Sequence, residues 1–70
     1  MAKINIVARL RAFYGETQME FAERIGVNQG TISRWENGQE EPRGPALVLI
    51  NRMERERIAK LKRVEERAAS

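Results

Sequence analysis

The sequence predicts an all-α fold: a compact four-helix domain with an extended C-terminal helix. Three observations point there. Apolar residues recur at three- and four-residue steps, helix-capping residues stand ahead of the runs, and no stretch shows strand-like alternation. Seventy residues make one domain. A core this small covers only about 60% of the unfolded chain's surface, so a second subunit that covers more would stabilise it.

Ile4, Val7, Leu10 and Tyr14 share one face and predict a first helix over roughly residues 3–14, closed by Gly15. Thr17 with Glu20 has the spacing of a capping box. It opens a second helix that carries Phe21, Ala22 and Ile25 on one face and stops at Gly26. Asn28 is the next N-cap candidate, and the third helix, with Ile32 and Trp35 inward, ends at Asn37-Gly38. Residues 38–45 form a polar loop containing both prolines, and Pro45 suits a first helical turn. From there to about Ala68 neither Gly nor Pro interrupts, and Ala, Leu, Glu, Lys and Arg dominate. Ala46, Leu49, Ile50 and Met53 share a face that should pack on the preceding helices.

Composition argues against several function classes. The chain has no cysteine and no histidine, which removes thiolate chemistry, the commonest metal ligand and the commonest general base. Neither a metal nor a cofactor is expected, and an enzyme is a remote reading. No apolar run approaches the ~20 residues that span a bilayer, and no signal-peptide pattern opens the chain; a cytoplasmic location and no membrane partner are expected. Net charge is +3, but up to Gly44 the basic and acidic residues cancel. Bulk charge therefore hints only softly at a polyanionic partner, and placement on one face must decide.

The stretch TQMEFAERIGVNQGTISRWENG, Thr17 to Gly38, carries the argument. Two short helices meet at a turn containing Gly26, which takes φ > 0 without a Cβ penalty and lets the second helix leave steeply. Small Ala22 permits close approach, and Ile25, Val27 and Ile32 would fill the junction. A helix-turn-helix of this kind places its second helix in the major groove of DNA.

Gln18, Ala22, Gly26-Val27, Ile32 and Glu36-Asn37-Gly38, taken as a spaced set, resemble the lambda-repressor/Cro-like (XRE) helix-turn-helix family. The likeness runs from about Val7 to Met53. Trp35 and the segment Pro42 to Ile50 look similar to a short-chain branch that includes small phage repressors and HigA-type antitoxins. Glu16 departs from the pattern, because an apolar residue is usual there.

The resemblance implies three groups of residues. Gln29 and Arg34, with Ser33 as a third, would read base edges, since Gln pairs bidentately with adenine and Arg with guanine. Gly30 stands where a side chain often contacts DNA. Gln18, Thr31, Asn37 and Arg43 match positions that hold backbone phosphates. Arg11 and Glu36 match a structural salt bridge between the first and third helices, and Trp35 belongs to the core.

Two parts are expected: a DNA-binding domain over residues 1–53 and a helical extension over residues 54–70. Along the whole C-terminal helix Leu47, Ile50, Glu54, Arg57, Leu61, Val64 and Ala68 fall on heptad-like spacing, with a charged interruption at Glu54 and Arg57. Ile58, Leu61 and Val64 are the candidate dimerisation residues; the plainer alternative is one solvated helix held by mixed charges. The expected function is a sequence-specific transcriptional regulator, most simply a repressor that binds a palindromic operator on double-stranded DNA as a homodimer. The alternatives are an antitoxin that also autoregulates its operon and has a toxin partner, and a protein-interaction module that uses the same fold without DNA.

Overall fold

The computed structural model describes residues 5–69 and is helical throughout, in the order α1 (Ile6–Tyr14), α2 (Gln18–Ile25), α3 (Gln29–Glu36) and α4 (Gly44–Ala69). The predicted architecture holds. The first helix, however, starts later than the apolar spacing suggests. Asn5 is extended, and its side-chain oxygen accepts from the amides of Val7 at 2.9 Å and Ala8 at 3.2 Å, so the helix begins at Ile6. Ile4, expected on the apolar face of that helix, lies outside the described residues.

The other boundaries follow their caps. Gly15 is left-handed, its amide donates to the Ala12 carbonyl, and the Glu16 amide donates to the Arg11 carbonyl, which together form a Schellman ending. Thr17 and Glu20 exchange both bonds of the capping box. Asn28 accepts from the Thr31 amide at 2.8 Å. After α3, Gly38 takes φ 77° and donates to the Trp35 carbonyl, while the amides of Gln39 and Glu40 both donate to Arg34.

Every helix contributes to one core: Val7 and Leu10, Phe21 and Ala22, Ile32 and Trp35, Ile50 and Met53. Full burial stabilises the larger of these by roughly 1.5–3 kcal/mol each. Ile25 and Val27 pack against this cluster at the α2–α3 junction, and Ala46 and Leu49 from the first turns of α4 do the same.

The charged interruption in α4 has a structural reason. Glu54 accepts from Arg9 of α1 and, at 2.5 Å, from Nε of Arg57 one turn further along. The three side chains staple α4 to α1 just beyond Met53, where an apolar heptad would have continued. Past this staple the residues of α4 through Ala68 are exposed, including Ile58, Leu61 and Val64.

Candidate nucleic-acid interface

Gly26 makes the turn. At φ 92° it occupies a conformation that a Cβ would strain, and its amide and that of Val27 both donate to the Ala22 carbonyl. α3 then packs on α2 through Ile32 and Trp35, which leaves Gln29, Gly30 and Arg34 exposed and Ser33 half-buried on the opposite side.

Three contacts fix α3 from behind. Arg11 grips the Glu36 carboxylate with two bonds, Nε to Oε2 at 2.8 Å and Nη2 to Oε1 at 3.0 Å, and its Nη1 donates to the Glu16 carbonyl at 3.1 Å. The Arg11 guanidinium is held more firmly protonated than usual by its bond to Glu36, against the opposing effect of burial. Gln18, at the first position of α2, donates Nε2 to Glu36 at 3.4 Å. Asn5 reaches across from the start of α1 and donates Nδ2 to the Trp35 carbonyl at 2.8 Å, which satisfies a carbonyl at the end of α3.

The exposed face has its own order. Arg34 donates Nη2 to the Thr31 hydroxyl at 3.2 Å and lies with Nε 3.5 Å from the Glu40 carboxylate. Thr31 donates its hydroxyl hydrogen to Asn28 at 3.0 Å, so that hydrogen is engaged in this state. Asn37 caps the end of α3 and Arg43 sits in the loop before α4, both exposed.

Of the residues singled out from the sequence, Gln29, Thr31, Ser33 and Arg34 lie together on α3, Gln18 joins Arg11 and Glu36, and Asn37 and Arg43 flank the loop after α3. Ile58, Leu61 and Val64 lie apart on distal α4. Four residues went unread in the sequence. Asn5 belongs to a cap-forming residue type, but no spacing in the chain marks its reach to α3. Glu40 looked like one charge in a polar loop. Arg9 is the α1 partner of the interruption at Glu54 and Arg57. Arg24 explains Glu16: its Nε and Nη2 fork onto that carboxylate at 2.8 and 3.1 Å, while its guanidinium lies 4.5 Å over the Tyr14 ring. An ion pair roofed by an aromatic ring thus stands where the pattern has an apolar side chain.

No helix among the described residues is long and apolar enough to cross a membrane. No curated protein and no solved structure matches the chain significantly. Residues 14–53, more than half of the chain and the whole of the α2–turn–α3 unit, match the helix-turn-helix family. The chain belongs to this Cro/lambda-repressor-like family of DNA-binding transcriptional regulators.

Proposed function

We propose that the protein is a repressor that binds a palindromic operator as a homodimer, with α3 of each subunit in the major groove. The observation that carries this reading is the two-sidedness of α3. Its inner side is pinned by Arg11, Gln18 and Asn5, while its outer side presents Gln29 and Arg34 to solvent. A rigidly seated helix with Gln and Arg outward suits recognition of adenine and guanine edges, with Ser33 as a third reader. Phosphate anchoring falls to Gln18, Asn37 and Arg43, whose donors suit phosphate oxygens. Thr31, the fourth residue expected among these anchors, bonds Asn28 and Arg34 through its hydroxyl.

Homodimerisation is supported by the exposed Ile58, Leu61 and Val64, which project beyond the core on distal α4 and find no cover among the described residues. The test is selection of bound duplexes from a random library, together with sedimentation of the free protein. The proposal expects an enriched two-fold symmetric site and a dimeric mass. Enrichment of a single asymmetric site by a monomer would remove the dimer from the account.

A further inference from the structure

We propose that Glu40 and Thr31 set the sequence specificity of Arg34 by clamping its guanidinium along the outer face of α3, in the space left open by Gly30. The inference rests on the DNA-reading role proposed for α3 and names what governs it.

Glu40 is tied to Arg34 twice. Its amide donates to the Arg34 carbonyl at 3.3 Å, and its carboxylate faces Nε at 3.5 Å. On the other side Nη2 donates to the Thr31 hydroxyl, whose own hydrogen is committed to Asn28, so the oxygen turns a lone pair to Arg34. Asn28 is itself oriented by the Thr31 amide. Hydrogen bonds therefore run from the N-cap of α3 through Thr31 to Arg34, and an ion pair carries the chain on to Glu40. Gly30 makes room for it: a Cβ there would stand 3.3 Å from Nη1 of Arg34 and 3.3 Å from the Asn28 side-chain oxygen, tight enough that the guanidinium would shift by a few tenths of an ångström.

The clamp has two consequences for recognition. A loose arginine finds a phosphate anywhere on a duplex, whereas one already held near its working position loses less freedom on reaching a base. Glu40 also offsets the charge of Arg34 and so weakens its pull on the backbone. Its carboxylate pairs with the Nε side of the guanidinium at 3.5 Å, and the N–H groups of Nη1 and Nη2 not used by Thr31 stay available to guanine O6 and N7. The pair trades general attraction for discrimination. Thr31 acts on DNA through Arg34 and is a positioning residue.

The test measures binding of Glu40→Gln, Thr31→Val, Thr31→Ser and Gly30→Ala to the selected duplex, its single-base variants and a random duplex at one salt concentration. Glu41→Gln is the control, because Glu41 carries the same charge one residue on and makes no ion pair among the described residues. Glu40→Gln and Thr31→Val should lower the cognate-to-random ratio about three- to fivefold, the scale of an exposed ion pair. That loss should fall on the base pair that Arg34→Ala also affects. Thr31→Ser should retain the ratio, and Gly30→Ala should lower it.

Equal effects of Glu40→Gln and Glu41→Gln on both duplexes would overturn the proposal, leaving only a charge effect. A second readout needs no DNA: the Arg34 Nε–H resonance of the free protein should move with Glu40→Gln and stay with Glu41→Gln. An unmoved resonance would overturn the clamp. A native chain that retards no duplex would overturn the DNA reading and the specificity role with it, and the resonance tells that failure from a failed clamp.

Discussion

Arg11 and Glu36 form a two-bond ion pair between the first and third helices, with the guanidinium also holding the carbonyl of Glu16 and the carboxylate also receiving Gln18. It is a joint rather than a surface pair: the Glu36 side chain is only 11% exposed. Removing one partner strands the other. The effect should lie between that of an exposed pair, about 0–1 kcal/mol, and a buried one, about 3–5 kcal/mol, so Arg11→Ala should cost about 2 kcal/mol. Thermal unfolding should register this as a fall of roughly 10 °C in a chain this short. A shift of only a degree or two would mean that the joint contributes no more than an exposed pair.

Acid should loosen the fold through Glu54 and Glu20. The bond from Arg57 holds the Glu54 carboxyl below the usual range, with Arg9 adding to it and burial opposing; the Thr17 amide lowers Glu20. A carboxylate whose folded pKa is depressed stabilises the protein above its unfolded value of about 4.3, and that contribution disappears as pH falls through the folded value. Tm should therefore stay level from neutral pH to about 5 and fall below about 4. Glu54→Gln should lower Tm at neutral pH and flatten part of that acid limb. An acid limb identical to the native one would separate Glu54 from it.

Ile58, Leu61 and Val64 give the dimer its test. Leu61→Glu places a charge in the proposed apolar seam, so sedimentation should show a monomer and operator affinity should fall. Melting should fall to that of the single subunit and lose its dependence on concentration, because the side chain is exposed within one subunit. A native monomer that co-purifies with a second small protein would point instead to the antitoxin reading.

Much of this fold could be read from the chain, and the reasons are local. Thr17 with Glu20, Asn28, Gly15, Gly26 and Gly38 act on neighbours within a few residues, so their spacing alone marks where helices start and stop. What escaped was long-range or compensatory. Asn5 bonds carbonyls thirty residues away, and Arg9 finds Glu54 across the packed α1–α4 face. The exchange of an apolar residue for the Glu16–Arg24–Tyr14 cluster leaves no periodic signal, because the three side chains come from different turns. On the reading face the residue types were legible and their posture was not. That Arg34 lies down toward Thr31 and Glu40 depends on how the chain turns after Gly38.

Base and phosphate residues should separate by the kind of loss. Arg43→Ala should weaken binding to cognate and random duplexes alike and reduce the salt slope by about one. Equal salt slopes for native and variant would remove Arg43 from the backbone contacts.

The central claim is that α3 reads bases with Gln29 and Arg34, and the most direct measurement compares Gln29→Ala and Arg34→Ala with the native chain on the selected operator and on random DNA. The account predicts a loss of about 1–3 kcal/mol on the operator, little on random sequence, and relaxed preference at one base pair for each variant. Equal losses on both duplexes would contradict it.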